Sequence, residues 1–180
     1  TTTITTGEGY SGMSEVNVNV KVPITIKVGE NGIKLTNSTF TEVPQVFDFS
    51  DVTDMGHMFD KCESLTTISE MNTANVTDMR AMFNACYSLT TIPKMDTSKV
   101  TSMSYMFGNC SLLTTIPEMD TSQVTNMNSM FNWCSALTNV PEMDTSKVTD
   151  MGYMFAGCKL LTTIPPMNTS QVTDMRYMFS

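Results

Sequence analysis

A repeat of 24 residues constrains the fold of this chain more than any other feature. The segment "VTDMRAMFNAC" at 76–86 returns as "VTSMSYMFGNC" at 100, "VTNMNSMFNWC" at 124 and "VTDMGYMFAGC" at 148. Alignment on this period gives columns of Val, Met, Met-Phe, Cys, Leu, Ile and a third Met, which hold every methionine except Met13. Self-similarity at such a spacing is typical of a solenoid, in which each repeat forms one coil of a stack.

Local patterns predict a short strand and a short helix in each coil. The segment "SLTTIP" places Leu89 and Ile92 around β-branched threonines, which favours a strand that ends at Pro93. Behind the N-cap residue Asp78, apolar side chains recur at the i, i+3, i+4 and i+7 spacing of one helix face. The six residues of the cap column are Asp54, Asp78, Ser102, Asn126, Asp150 and Asp174.

A single repeat cannot hold its own structure. About seven inward apolar side chains contribute roughly 2 kcal/mol each when they are buried. Ordering the repeat costs on the order of 1.5 kcal/mol per residue, so an isolated coil is unstable. Coils stacked about 4.8 Å apart share one interior and their inter-coil hydrogen bonds. We therefore predict an α/β solenoid, a right-handed stack of 24-residue coils, each with a short parallel strand and a short helix.

The sequence divides into three predicted regions. Residues 1–32 alternate apolar and polar side chains in "SEVNVNVKVPITIKV" and form an N-terminal β-strand segment. Residues 33–51 form an irregular capping coil, so that strand segment and coil together give a β cap. Residues 52–180 hold five full repeats and a truncated sixth.

The two ends of the chain carry further expectations. The chain opens without Met, so we expect any targeting segment to have been removed or to lie outside it. Its last residues, "VTDMRYMFS", place Met175, Met178 and Phe179 in mid-repeat. We expect the natural chain to continue there or a partner to cover this face, with self-association through the C-terminal coil.

Composition excludes several classes of function. The net charge is −8, which disfavours nucleic-acid binding and docking on anionic membranes. No apolar run approaches the roughly 20 residues that span a bilayer, so no direct membrane insertion is expected. The lone histidine, His57, occupies a variable column, and Ser and Asp recur with the repeat. A unique acid, base and nucleophile set is missing, so we expect no enzyme.

Five cysteines recur 24 residues apart, at 62, 86, 110, 134 and 158. The spacing matches neither short metal motifs nor redox motifs, so no metal or cofactor is expected there. We interpret the column as buried thiols that pack as small apolar groups. Stacked coils would also bring their Cα atoms within disulfide range, so bridges between them stay possible.

The columns "LTTIPxMDTSxVTxMxxMFxxC" over residues 33–180 closely resemble BspA-like leucine-rich repeat surface proteins. More narrowly, they resemble a repeat family of unknown function in mycoplasma lipoproteins and gut-bacterial surface proteins. The resemblance implies a leucine-rich-repeat-like fold without catalytic residues and an extracellular or cell-surface role in adhesion to a host or cell-surface protein or glycan. The leader "GYSGMSEVNVNV" also resembles a segment of virion and tail proteins of gut phages, which implies a phage tail fibre or other virion component as an alternative.

Exposed aromatic residues are the leading candidates for ligand binding, because such side chains are enriched in recognition patches. Paired threonines such as Thr90-Thr91 and Thr114-Thr115 could also form rows for carbohydrate or ice, or could simply be solvated. An acidic ladder of Asp96, Asp120 and Asp144 could take Ca²⁺, although we favour turn-forming caps. The aromatic candidates are Tyr87, Tyr105, Trp133, Tyr153 and Tyr177.

Overall fold

The computed structural model describes residues 2–6, 14–18, 26–35, 40–43 and 47–180. Its five strands all lie before residue 49: β1 (Thr2–Thr6), β2 (Ser14–Val18), β3 (Ile26–Lys27), β4 (Lys34–Leu35) and β5 (Phe47–Asp48). Strands β2, β1 and β4 form an antiparallel sheet in that order, and β3 pairs with β5 in parallel. Pro23, which interrupts the alternating pattern in the sequence, lies outside the described residues.

Backbone hydrogen bonds between successive coils run along the "VTxMxxMFxxC" segment. In the second coil, Met79, Ala81, Phe83 and Ala85 donate their amide hydrogens to carbonyl oxygens of the third coil at 2.8–3.1 Å. The acceptors lie 23 residues further along the chain, and the same set recurs from the first coil to the fifth. Isolated parallel bridges at residues 54, 78, 102, 126, 150 and 174 mark the same ladder. The coils therefore stack in register, and the predicted parallel relation between them is confirmed.

The helix predicted in each coil is wrong. No helix occurs among the described residues, and the segment is instead a chain of tight turns. In the second coil Met82, Asn84 and Cys86 each donate their amide hydrogen to the carbonyl three residues earlier, at 3.1–3.3 Å. Ala81 and Ala85 have left-handed backbones, with φ of 48° and 58°. Because every second amide hydrogen is used between coils, none of those is available for the i→i−4 bonds of a helix.

The strand predicted at "SLTTIP" is also absent, since β5 is the last strand in the described range 47–180. Here neighbouring coils are joined by isolated backbone hydrogen bonds, such as that from the Thr90 amide to the Thr66 carbonyl at 3.1 Å. A parallel bridge joins Glu42 to Thr67. The β-branched residues therefore provide an extended corner of the coil rather than a ladder.

The predicted apolar columns form a continuous core. The Val, Met, Met-Phe, Cys and Leu columns are buried from the first coil to the fourth. The phenylalanine rings stack coil on coil with centroid separations of 5.5–5.8 Å and interplanar angles of 4–9°. This packing explains why the same inward residues recur, since each side chain meets its own kind above and below.

Residues 26–35 cover the first coil. The Leu35 amide donates to the Met58 carbonyl at 3.0 Å, and the Thr53 amide donates to the Glu30 carbonyl at 2.9 Å. Gly32 turns the chain at φ +74°, where a Cβ atom would meet the Asp54 carbonyl oxygen. Val28 and Leu35 are buried against the core. Searched over the described residues, the chain has no helix that is long and apolar enough to cross a membrane.

Glycine at a left-handed position should stabilise the coil. Lys61 is exposed and has φ of 60°. We expect Lys61→Gly to be more stable than Lys61→Ala by about 1 kcal/mol, because Gly adopts this conformation without a Cβ clash. Urea unfolding of both variants gives the difference in the free energy of unfolding.

Lys94 provides the matched control, because it is exposed and is not among the left-handed residues. There, Gly should be less stable than Ala by about 0.5–1 kcal/mol. A helix through residue 61 would give that same sign at Lys61, so a destabilising Lys61→Gly would contradict the turn structure.

Candidate ligand-binding surface

Two columns of left-handed residues carry exposed side chains, although Ala81, Ala85 and Ser129 within them are buried. The first runs through His57, Ala81, Tyr105, Ser129, Tyr153 and Tyr177, and the second through Lys61, Ala85, Asn109, Trp133 and Gly157. Four of the five predicted aromatic candidates lie in these columns, and all five are exposed. Tyr87 lies elsewhere, directly after the cysteine column. The turns therefore place aromatic side chains on the outside while their neighbours in the chain enter the core.

The tyrosine column forms a ridge along the stack. Tyr153 and Tyr177 lie in consecutive coils with ring centroids 5.0 Å apart and planes inclined by 25°. Tyr105 is separated from Tyr153 by the coil of Ser129, which is only 2% exposed and donates its hydroxyl to Asn128 Oδ1 at 2.9 Å. None of the three phenol groups has a hydrogen-bond partner within 47–180. Each is available to an external acceptor or donor.

Trp133 lies in the second column and rests on Gly157 of the next coil. A Cβ atom added to Gly157 would lie 2.9 Å from Trp133 Cδ2, so glycine leaves the space that the indole occupies. The Lys159 ammonium lies 6.0 Å from the centroid of the indole ring. The side chain of Trp133 is 54% exposed. It is therefore positioned by its neighbours and still accessible to a ligand.

Aspartate and asparagine side chains of the predicted N-cap column cap turns. Asp78 Oδ1 accepts the amide hydrogen of Arg80 at 2.8 Å, and Asn126 Oδ1 accepts that of Asn128 at 2.9 Å. The predicted caps are thus caps of Asx-type turns, not of helices. The signal is shared, because either structure needs a short polar side chain that accepts an amide hydrogen two or three residues on.

The acidic ladder consists of the same kind of turn. Asp96, Asp120 and Asp144 accept the amide hydrogens of the serines two residues later at 2.9–3.0 Å. Hydrogen bonds from these serines lower the pKa of all three carboxyls below the ordinary value. Over the ranges that the structure describes, no group of three or more His, Cys, Asp or Glu side chains could hold a metal ion. The interpretation as turn-forming caps is confirmed.

The cysteines are free thiols that donate hydrogen bonds between coils. Cys86 Sγ donates to the Phe59 carbonyl at 3.1 Å, and Cys110 Sγ donates to the Phe83 carbonyl at 3.2 Å. Four of the five are buried and Cys158 is partly exposed, which confirms the buried-thiol interpretation for those four. Burial raises the pKa of Cys62 to about 12 and that of Cys158 to about 11. Sequence reasoning missed the thiol donors, which only the stacking register reveals.

Two hydroxyls of the first-threonine row donate hydrogen bonds to the preceding coil. Thr90 Oγ1 donates to the Thr66 carbonyl at 3.1 Å, and Thr138 Oγ1 donates to the Thr114 carbonyl at 3.2 Å. A row that the sequence reasoning did not single out does the same, as in the bond from Thr101 Oγ1 to the Thr77 carbonyl at 3.2 Å. These hydroxyls therefore link neighbouring coils and support the stack.

His57 contacts the carboxylate of Asp60, with Nδ1 3.4 Å from Oδ2. The side chain of His57 is 42% exposed and occupies a left-handed turn. Its one described polar partner is therefore a carboxylate on the next turn of the same coil.

The stacked coils, shared apolar columns and inter-coil ladder define a repeat solenoid. A leucine-rich repeat protein of solved structure, from Eubacterium ventriosum ATCC 27560, is similar over 84% of this chain with a TM-score of 0.50 and 22% sequence identity. The match covers 49% of that protein, so this chain spans about half of its length.

The family described as "Mycoplasma protein of unknown function, DUF285" matches residues 33–137 and 111–180. The chain belongs to this family, which supports its resemblance to the BspA-like repeat proteins. No curated protein matches the chain.

Thiol accessibility should follow the burial of the cysteine column. In native protein we expect a thiol reagent to modify Cys158 first, because it is only partly buried. The other four thiols should react only as the protein unfolds. Ellman's reagent measures the number of reactive thiols with time, and mass spectrometry locates them.

Unfolding in denaturant without reductant provides the control. All five thiols should then titrate, since none is bridged in the folded state. A single free thiol in unfolded protein would contradict this account and would instead indicate two disulfides.

Proposed function

We propose that this chain is a non-catalytic extracellular binding module that adheres to a host or cell-surface protein or glycan through its outer turns. Family membership and the leucine-rich-repeat fold support a surface repeat protein. The single observation that carries the proposal is the aromatic ridge. Tyr105, Tyr153 and Tyr177 are exposed at left-handed turns where smaller residues occupy the same column in other coils.

The energetics of the turns favour a function for these aromatic residues. A residue other than glycine in the left-handed region costs roughly 1–2 kcal/mol. The fold requires this backbone in each coil, and Ala81 and Ser129 satisfy it with small side chains. Tyrosine adds an exposed ring that is not part of the apolar core. Exposed aromatic side chains with polar tips are the residues that most often dominate recognition energies.

The repeat arrangement suits weak contacts made many times. Tyr153 and Tyr177 lie on successive coils, so a ligand that meets one of these rings is held close to the other. Linked contacts of this kind raise overall affinity without any strong single contact. The net charge of −8 disfavours nucleic acid as the ligand.

Replacing the three tyrosines should weaken adhesion while preserving the fold. We expect Tyr105→Ser, Tyr153→Ser and Tyr177→Ser together to weaken binding to cultured epithelial cells and gut bacteria by about tenfold or more. Serine is chosen because Ser129 occupies this column naturally. Flow cytometry of the fluorescently labelled chain measures saturable binding.

A triple variant on another face, Thr91→Ser, Thr115→Ser and Asn139→Ser, is the matched control and should bind normally. Treating the cells with protease or with periodate separates a protein ligand from a glycan. The proposal fails if the wild-type chain shows no saturable binding, or if the tyrosine variant binds as well as the control.

A second candidate is a structural role, in which copies stack end to end in a filament or virion fibre. Like coils stack on one another in register, as Phe155 does on Phe179 with ring centroids 5.8 Å apart, so a coil of one copy could stack on a coil of another in the same way. Regular fibres of purified protein in electron micrographs would favour this role over adhesion by monomers. The matching family and the similar solved structure are both described as bacterial, and they add no support to a phage origin.

A further inference from the structure

The environment of Trp133 differs from that of every other exposed aromatic residue in 47–180. It is the one tryptophan of the chain, it occupies a left-handed turn, and its indole lies against the backbone of Gly157. The other members of its column are Lys61, Ala85 and Asn109, so neither Trp nor Gly is required by the turn. The Trp-Gly pair in consecutive coils therefore builds a supported, flat aromatic surface.

A cation without a carboxylate partner lies at this surface. The Lys159 ammonium is 6.0 Å from the indole centroid, and Lys159 is in none of the ion pairs of the described residues. This is notable because acidic residues outnumber basic ones by 18 to 10. An ammonium near an aromatic face is attracted by the ring, which keeps it beside the indole. Any ligand that covers the indole thus comes within reach of this positive charge.

We propose that Trp133 and Lys159 form a subsite for an acidic sugar, with the pyranose ring stacked on the indole and the carboxylate paired with the ammonium. The inference rests on the proposed binding function and narrows its ligand class. A pyranose presents a flat face of C–H groups that packs on an aromatic ring, while its hydroxyls can accept the indole N–H. That N–H has no partner within the part of the chain that the structure describes.

The residues next to Trp133 in its column favour a sugar over an acidic peptide as the ligand. A protein interface of standard size buries about 800 Å² per partner around a well-packed apolar centre. Around Trp133 the neighbouring column members are the polar Asn109 and the side-chain-free Gly157. An exposed indole with one ammonium beside it matches a ligand that has one sugar ring and one carboxylate. Uronic acids and sialic acids share this chemistry.

The fluorescence of the single tryptophan reports directly on the subsite. We expect hexagalacturonate or sialyllactose to change the Trp133 emission saturably, with an affinity about tenfold or more above that for the neutral counterpart. The neutral counterparts are methyl-esterified hexagalacturonate and lactose. Comparison of the two acidic probes distinguishes a uronic-acid source from a sialic-acid source.

Three variants separate the roles of the residues. Lys159→Gln should bring acidic and neutral sugars to similar affinities, and Gly157→Ala should weaken binding about fivefold or more by displacing the indole. Trp133→Phe, followed by calorimetry, should lose about tenfold or more. Lys94→Gln removes an exposed ammonium from another coil and should leave binding unchanged.

The subsite is refuted if neither acidic probe binds up to about 10 mM, or if binding is indifferent to Trp133→Phe and Lys159→Gln. Suppose that cell adhesion depends on the tyrosine ridge, and that treating the cells with protease abolishes it while periodate does not. The ligand would then be a protein. That result would overturn the acidic-sugar inference and leave the binding module intact.

Discussion

Hydrogen bonds between coils, made by every second amide along one segment, are the constraint on which the rest of this structure depends. Met79, Ala81, Phe83 and Ala85 illustrate the arrangement, because each amide donates to the next coil while the residues between them close tight turns. No coil satisfies its own backbone along this segment. A coil therefore needs a neighbour for its polar groups as well as for its apolar side chains, and stability accumulates by nearest-neighbour contacts.

The side-chain columns and the backbone ladder reinforce each other. The ladder fixes the register, and the register brings like residues together, as in the stack of Phe83 on Phe107 with planes 8° apart. The thiol column adds a further link, because each Sγ reaches a carbonyl of the preceding coil. Cysteine fits this position since its side chain is small and apolar yet can donate one weak hydrogen bond.

The division between core and surface follows from the same turns. Left-handed residues such as Tyr105 and Trp133 lie directly next to buried residues in the chain, and their own side chains are exposed. The ladder is made by backbone groups, and residues as different as His57, Tyr105 and Ser129 occupy one column, so the exposed side chains can differ from coil to coil. The fold thereby presents different side chains at fixed intervals on a constant scaffold, which is the property that a binding module needs.

The sequence was sufficient to predict the period, the buried columns and the turn-capping aspartates, because each depends on residue type at fixed spacing. It misled on the conformation between the columns. The spacing of Met79, Met82, Phe83 and Cys86 matches a helix face, and tight turns with alternate inter-coil bonds point the same residues inward. Glycine would have signalled the left-handed positions, yet in the two outer columns only Gly157 is glycine. The support of Trp133 by a residue 24 positions later likewise required the register of stacking.

Deletion of whole and partial coils tests the central claim most directly. Removal of residues 100–123 joins Lys99 to Val124 in register and deletes one complete period. We predict a cooperatively folded protein by circular dichroism and calorimetry, with a lower melting temperature because one inter-coil interface is lost. Removal of residues 100–111 alone should leave the chain unable to stack across the junction and largely unfolded. Equal stability of the two deletions, or loss of folding in the full-period deletion, would contradict the account.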